Sequence, residues 1–246
     1  MAGLRDGSGL GYAAPMRVAA LVLGAGRGER LGQAVPKAFV VLAGRPMIVW
    51  SLETLARCSE IDRVVPVVPA AQCASLAACM GAVAGAEKLA PPVVGGSQRQ
   101  DSLRAGLETL SDDVRFVAVH DAARPLLRAE ALARVVVAAR ESGAALLATR
   151  SADTIKRVRA GRVVETPLRD ECWAAQTPQV FRRDWLVEGL SRATAAGREV
   201  SDCAQLVEAL GVEVQVVEGD PDNLKVTHPA DLVLAERELM ARGTAS

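Results

Sequence analysis

The feature that most constrains this fold is an apolar segment that runs directly into a glycine-rich loop. Residues 17–23 are almost wholly apolar, as expected of a strand that is covered on both faces. Four glycines follow, at Gly24, Gly26, Gly28 and Gly32. Glycine lets a ligand approach the backbone closely, and successive exposed N–H groups form a concave anion site. The sequence therefore predicts a phosphate-binding turn at the end of a buried strand.

The charges around this loop distinguish it from two better-known phosphate loops. The third glycine of the dinucleotide fingerprint is replaced by Glu29, and the Gly-Lys-Ser/Thr of a P-loop is absent. Arg27, Arg30 and Lys37 supply three cations instead, which suits a dense charge such as a triphosphate. Lys37 stands out because the chain has 25 arginines and only 4 lysines. A flexible, solvated turn is the alternative.

Short apolar segments alternate with segments of helical periodicity along the chain. This alternation predicts an α/β fold of the Rossmann-like type, with a mostly parallel sheet and helices on both faces. We expect one domain over 16–242, preceded by a disordered tail at 1–15 that lacks the apolar region of a secretory signal. The expected strands include 63–68, 116–121, 145–149 and 212–217, and the expected helices include 70–80, 129–140 and 182–196.

A second glycine turn, Gly95-Gly96, leads into a helical pattern. Ser97 is the expected N-cap, and leucines at 103, 107 and 110 provide a buried face. A capped surface helix would have the same pattern, so the turn alone does not establish a ligand site.

The strongest local signal is an apolar strand that ends in an acid, followed by Ala-Ala-Arg-Pro. The acid is Asp121, and ligands of open α/β sheets bind beyond the carboxyl ends of the strands. A lone carboxylate beside a triphosphate is a suitable Mg²⁺ ligand. Alternatively, Asp121 caps the turn and pairs with Arg124. The preceding His120 is expected to be a packed residue rather than a catalyst.

Residues 151–170 predict a β-hairpin arm with its turn at Ala160-Gly161. Its strands are short and polar on both faces, and an isolated two-stranded hairpin is marginally stable. We therefore expect the arm to pack against another subunit.

Three later segments add polar candidates. Thr177-Pro178-Gln179 lies between aromatic residues and predicts a packed corner or a ligand contact, and Ser201-Asp202 predicts an N-cap for a helix that includes Leu206 and Leu210. Lys225 follows the last strand, and Thr227 with Pro229 is expected to begin the final helix.

Composition excludes several classes of partner. The chain has 29 Lys plus Arg and 29 Asp plus Glu, and this balance argues against general nucleic-acid binding, which needs an excess of cations. No apolar run reaches the ~18 residues of a membrane span. The 5 cysteines form no Cys-x-x-Cys pair, so neither a disulfide framework nor a zinc site is indicated, and a reduced cytoplasm fits.

Together these motifs resemble the 2-C-methyl-D-erythritol 4-phosphate cytidylyltransferase family, and the similarity covers residues 17–241. The run at 121–125 matches the family motif without a gap. The resemblance implies transfer of CMP from CTP to a polyol phosphate, which makes a CDP-linked intermediate of isoprenoid precursor synthesis by the non-mevalonate route. It also implies Mg²⁺ as cofactor and a homodimer in which the arm interlocks two subunits.

The resemblance assigns roles to individual residues. Catalytic roles fall to four charged side chains, Arg30, Lys37, Asp121 and Lys225. Nucleotide contacts fall to the two glycine turns and the helix after the second, at Gly24, Ala25, Gly26, Gly28, Gly95, Gly96 and Ser102. Acceptor contacts fall to Arg124, Thr154, Arg169, Thr177 and Ser201, of which Thr154 and Arg169 are lent to the neighbouring subunit. The family usually has threonine at 201, and serine keeps the hydroxyl. Mg²⁺ is assigned to Asp121, with Asp222 as a second candidate.

Three alternatives remain at this point. A cytidylyltransferase for another polyol phosphate, such as ribitol 5-phosphate, would share the loop and the Asp-Ala-Ala-Arg region. A non-catalytic nucleotide-binding regulator would not need Arg30, Lys37 or Asp121. A dinucleotide-dependent oxidoreductase is disfavoured by Glu29.

Overall fold

A computed structural model of the chain describes residues 16–26 and 35–243. The strands are β1 (Arg17–Leu23), β2 (Val41–Leu42), β3 (Arg45–Pro46), β4 (Arg63–Val68), β5 (Val93–Val94), β6 (Val114–Asp121), β7 (Ala144–Arg150), β8 (Arg157–Arg159), β9 (Arg162–Glu165), β10 (Trp173–Arg182) and β11 (Gln215–Glu218). The helices are α1 (Met47–Arg57), α2 (Ala70–Met80), α3 (Arg99–Glu108), α4 (Ala129–Ser142), α5 (Arg183–Ala195), α6 (Ala204–Glu208) and α7 (Pro229–Gly243).

One seven-stranded sheet organises the molecule, in the order β11-β7-β10-β6-β1-β4-β5. Strand β10 runs antiparallel to both of its neighbours, whereas the other pairings are parallel. Six strands therefore end at the same edge of the sheet. The predicted α/β fold with a mostly parallel sheet is confirmed.

Both faces of the sheet are buried, as the continuous apolar strands predict. Along β1, Val18, Ala20 and Val22 pack with α1, α2 and α4. The alternate residues Ala19 and Leu21 pack with α3, α5 and α6 on the other face. Helices on both faces are thus confirmed, and the period of two along β1 separates the two layers of the core.

A third, smaller cluster holds the last helix in place. Ala235 of α7 packs with Leu42, Met47 and Val226. Val226 is fully buried and follows directly on Lys225, so this cluster anchors the loop that carries that lysine.

The predicted corner at Thr177-Pro178-Gln179 is wrong, because these residues lie inside the long strand β10. The pairing of β10 with β7 shifts register between Ala175 and Gln179. Pro178 has no N–H to donate to the ladder, which accounts for the irregularity at this point.

Two of the predicted helix starts also differ. Gln98, not Ser97, is the N-cap of α3, and its N–H donates to the Asp101 carboxylate (N–Oδ2 3.2 Å). The hydroxyl of Thr227 donates to the carbonyl of Lys225 (3.0 Å) and does not cap α7. In each helix, an acidic side chain in the first turn accepts a backbone N–H from the residues that precede the helix.

Helix α6 is shorter than predicted. Asp202 accepts the N–H of Gln205 (3.3 Å), as its predicted capping role requires, but the helix begins at Ala204 and ends at Glu208, before Leu210.

The arm forms the separate two-stranded sheet of β8 and β9, with its turn at Ala160 and Gly161, both at positive φ. It is not polar throughout, because Val158 pairs across the hairpin with Val163 and both side chains are exposed. Among the described residues no helix is both long and apolar enough to cross a membrane.

The close approach of α5 to α6 generates a test of the packing. A Cβ added to Gly189 would lie 2.4 Å from the Leu206 carbonyl oxygen, so Gly189→Ala should lower the free energy of unfolding by roughly 1 to 3 kcal/mol, the usual cost of overpacking. Gly81→Ala is the matched control, because Gly81 has φ −62° and a Cβ there would meet no atom within 4 Å. Urea denaturation measures both variants, and equal stability of the two would contradict this packing.

Candidate active site

The candidate site is built where β1, β4, β5 and β6 end. The N–H of Gly24 donates to Val67 O (2.8 Å) and that of Gly95 to Val68 O (2.8 Å), so both glycine turns are tied to the end of β4. The N–H of Ala122 donates to Leu23 O (3.0 Å), which fixes the end of β6 beside the first turn. The parallel sheet thus brings together segments that are about 100 residues apart in sequence.

These segments surround a cavity of about 250 Å³. Eight of the residues predicted to have site roles line it, namely Gly24, Ala25, Gly26, Lys37, Gly96, Ser102, Asp121 and Lys225. A Cβ on Gly95 would lie 2.5 Å from the Ala25 Cβ and 2.8 Å from Ser102 Oγ, so the absence of a side chain at Gly95 lets the two turns pack together. Gly28 and Arg30 lie outside the described residues.

Asp121 is the charged centre of the cavity. Its Oδ1 forms an ion pair with the Arg99 guanidinium, and its Oδ2 lies 2.7 Å from the Lys225 ammonium. Burial acts to raise the pKa of this carboxyl, but the two cations outweigh burial and hold the pKa well below its usual range. Asp121 is therefore ionised at neutral pH. Because its ion-pair partners are Arg99 and Lys225, the alternative prediction that it pairs with Arg124 is wrong.

Arg99 is a residue of the site to which the motifs assigned no role. It is the first residue of α3, where the helix dipole disfavours a cation. The sequence contained one signal for this role: an arginine follows the second glycine turn at the start of a helix, where a cation is normally disfavoured. The reason for its position is tertiary, because only the fold brings Asp121 to the start of α3.

Arg124 ties the loop after β6 to two other segments. Its guanidinium donates to the carbonyls of Asn223 (2.7 Å) and Ala175 (3.1 Å). Its Nε is buried and has no hydrogen-bond partner within the described part of the chain. In this structure Arg124 therefore fixes the backbone around the cavity.

His120 and Thr177 form a buried hydrogen-bonded pair behind Asp121. The Nε2 of His120 faces the carbonyl oxygen of Arg124 (3.2 Å), which can only accept, so we assign the proton to Nε2. Its Nδ1 then accepts from the Thr177 hydroxyl (3.1 Å), and that hydroxyl accepts the N–H of Asp121 (3.0 Å). Burial lowers the pKa of His120 to about 4, so its imidazole is neutral at pH 7. This agrees with the predicted packing role.

Seven described residues with predicted roles are not among those that line the cavity, namely Gly95, Arg124 and Thr177, which lie beside it, and Asp222, Ser201, Thr154 and Arg169. Asp222 is exposed and forms an ion pair with Arg128 (2.9 Å). Ser201 is exposed and accepts a hydrogen bond from the Gln205 side chain (2.7 Å). Thr154 and Arg169 are exposed on the segments that flank the arm strands. Within one chain, Arg124 and Thr177 are thus the predicted acceptor residues closest to Asp121.

The donor set for a metal is small. Across 16–26 and 35–243, no group of three or more His, Cys, Asp or Glu side chains could hold a metal ion. Among the described residues that line the cavity, Asp121 is the one that offers carboxylate oxygens, and Mg²⁺ commonly takes one carboxylate together with phosphate oxygens and waters. The chemistry of this site fits a Mg²⁺ ion that arrives with a triphosphate.

Comparison with known proteins agrees with this geometry. A sequence model of the 2-C-methyl-D-erythritol 4-phosphate cytidylyltransferase family matches residues 18–241. The protein of that name from Frankia casuarinae is 45% identical over 239 residues, which is 96% of this chain and 86% of the relative. The chain belongs to the 2-C-methyl-D-erythritol 4-phosphate cytidylyltransferase family. It is therefore a nucleotidyltransferase.

Solved structures place the fold in the same family. A 4-diphosphocytidyl-2C-methyl-D-erythritol synthase from Anaerococcus prevotii superposes with a TM-score of 0.81 at 28% identity, covering 91% of this chain and 96% of that one. The cytidylyltransferase from Thermus thermophilus has a TM-score of 0.72 at 34% identity, covering 92% of this chain and 100% of that one.

The buried pair behind Asp121 generates a second test. Thr177→Val keeps the side-chain shape but removes the partner of two buried groups, the Asp121 N–H and His120 Nδ1. The free energy of unfolding should fall by roughly 2 to 4 kcal/mol, because each orphaned group costs about 1 to 3 kcal/mol. Thr177→Ser keeps the hydroxyl and should lose about 1 kcal/mol or less, for one methyl group. Equal losses in urea denaturation would show that the hydroxyl is not needed.

Proposed function

We propose that this chain transfers the cytidylyl group of CTP to 2-C-methyl-D-erythritol 4-phosphate. The products are 4-diphosphocytidyl-2-C-methyl-D-erythritol and pyrophosphate, and the step belongs to isoprenoid precursor synthesis by the non-mevalonate route. The observation that carries the proposal is the single cavity in which both glycine turns, Lys37, Lys225 and Asp121 meet. This set of groups suits a nucleoside triphosphate, because it combines backbone donors, mobile cations and one acid.

In the proposed reaction, a phosphate oxygen of the acceptor attacks the α-phosphorus of CTP. The bond from that phosphorus to the bridging oxygen breaks, and pyrophosphate leaves in line. The attacking oxygen is already ionised, so no general base is needed. The neutral, fully hydrogen-bonded His120 is consistent with such a mechanism. Catalysis then depends on positioning and on neutralising charge.

The cations of the cavity divide this work. Lys37 and Arg30 are assigned to the triphosphate and to the charge that develops on pyrophosphate, and Lys225 is assigned to the α-phosphate. Ser102 and the turn at Gly95 and Gly96 face the same cavity and are assigned to the cytidine end.

Asp121 is the residue proposed to hold Mg²⁺, with Asp222 as the weaker candidate because it is paired with Arg128. When bound beside Asp121, Mg²⁺ would supply positive charge that neutralises the phosphate groups of the nucleotide. The ammonium of Lys225 occupies Asp121 Oδ2 in this structure, but this side chain is exposed and its ion pair is exchangeable.

A homodimer is proposed because the acceptor residues are divided. Arg124 and Thr177 lie next to Asp121, whereas Thr154 and Arg169 lie beside the arm, and Ser201 lies on the loop before α6. The exposed pair of Val158 and Val163 gives the arm an apolar surface that a second subunit can cover. In the proposed dimer the arm carries Thr154 and Arg169 to the other protomer's cavity. All five cysteines are free thiols, in keeping with a cytoplasmic enzyme.

The proposed reaction is tested by pyrophosphate release in the presence of Mg²⁺ and CTP, with methylerythritol phosphate and ribitol 5-phosphate as parallel acceptors. We expect release with methylerythritol phosphate and little with the other polyol. Release with ribitol 5-phosphate alone would keep the mechanism and overturn the acceptor. No release with either acceptor, while calorimetry shows that CTP binds, would support a non-catalytic regulator instead.

The arm generates a separate prediction. Deletion of residues 153–168 should give a monomer in multi-angle light scattering and abolish turnover, because the other protomer then loses Thr154. Val158→Asp combined with Val163→Asp should weaken the dimer without shortening the chain, since it places charges on the apolar surface. A stable dimer after the deletion would rule out the interlocking arm.

A further inference from the structure

The two cations that hold Asp121 differ in how firmly they are placed. The Arg99 side chain is 23% exposed and the Lys225 side chain is 47% exposed, whereas the carboxylate between them is 8% exposed. Arg99 is held at the start of α3, within a backbone turn closed by the Asp101 carboxylate. Lys225 lies on a loop, on a flexible four-carbon stem. One cation is therefore fixed and the other can move.

The surroundings of Arg99 leave Asp121 as its one acidic partner among the described residues. Its Nη2 lies 3.9 Å from the Sγ of Cys203, a buried thiol whose pKa is raised by burial and which is therefore neutral. Its Nε is buried and has no partner in the described part of the chain. Within the part of the chain that the structure describes, the charge of Arg99 is thus balanced by Asp121, and Lys225 adds one further positive charge to this pair.

This asymmetry has a consequence for any reaction in which Lys225 serves a phosphate. If Lys225 were the only partner of Asp121, its departure would leave a buried carboxylate without a counter-ion, which is costly. Arg99 removes that cost, because it remains on Oδ1 after Lys225 leaves Oδ2. The vacated Oδ2 is then available to a cation that accompanies the nucleotide.

We propose that Arg99 is a positioning residue for cytidylyl transfer: it holds the carboxylate of Asp121 through Oδ1 while Lys225 transfers from Oδ2 to a phosphate of the nucleotide. The predicted effect of Arg99 on catalysis rests on the proposed function. The exchange of the ion pair itself requires only that CTP binds.

The kinetic test compares Arg99→Gln, Arg99→Lys and Arg104→Gln. Arg104 is the matched control, since it lies on the same helix but is half-buried outside the cavity, where it donates to the Thr194 hydroxyl (2.6 Å). Arg99→Gln should lower kcat by about 10- to 100-fold, the usual effect of misplacing a reacting group, with the Kd for CTP in the absence of metal changed by less than about threefold. Arg99→Lys should recover most of kcat, because the observed contact is a single N–O pair that a point charge can make.

Two kinetic results would overturn the proposal. One is a kcat for Arg99→Gln equal to that of Arg104→Gln. The other is a metal-free Kd for CTP that rises in proportion to the loss of kcat/KM, because Arg99 would then be a direct nucleotide ligand rather than a positioning residue.

The exchange of the ion pair has its own readout, independent of turnover. The chain has four lysines, Lys37, Lys88, Lys156 and Lys225, so the ammonium signals of ¹⁵N-labelled lysine can be assigned by single Lys→Arg variants. CTP without metal should shift the Lys225 signal and leave those of Lys88 and Lys156 unchanged. An unshifted Lys225 signal at saturating CTP would overturn the exchange. If the signal shifts but no pyrophosphate is released, the proposed function fails and the exchange stands.

Discussion

The structure depends on one constraint, that six strands of the sheet point the same way and end at one edge. A loop that leaves any of these strands must start at that edge. The two glycine turns and Asp121 therefore lie together although they are far apart in the sequence. The helices on both faces stabilise this arrangement, because the helix layer on each face buries one set of alternate strand residues. The cavity is the space left between loops that the sheet has already aligned.

Within that cavity the balance of charge decides the chemistry. Among the described residues, one buried acid faces the half-buried Arg99 and the exposed Lys225, and Lys37 also lines the cavity. This excess of positive charge suits a ligand that carries several negative charges. The neighbouring His120 is neutral, and both of its ring nitrogens are hydrogen-bonded, to Arg124 and Thr177, so within the described residues this histidine is not free to act as the base that activates a hydroxyl nucleophile. An acceptor that brings its own ionised oxygen is the substrate class that such a site can use.

The antiparallel strand β10 has a part in both the fold and the site. Its register shift leaves Gln176 and Thr177 outside the regular ladder, where Gln176 donates to the carbonyl of Asp220 (2.8 Å) and Thr177 bonds to His120. Asn223 donates in turn to Gln176 and to the carbonyl of Thr177. The irregular part of β10 therefore connects the end of β6 with the loop that carries Lys225, which explains why a proline is found within a central strand.

The sequence by itself determined the α/β class, most element positions and the two glycine turns, because hydrophobic period and glycine placement are local properties of the chain. It also selected Asp121 and Lys225 by their positions at strand ends, and Lys37 as a rare lysine just after the first glycine turn. Only the tertiary structure decided that Asp121 pairs with Arg99 rather than Arg124, that Thr177 lies inside a strand, and that Arg124 bonds to carbonyls. These choices depend on which distant segments the sheet places side by side, and the energy of a buried ion pair or hydrogen bond arises only after that placement.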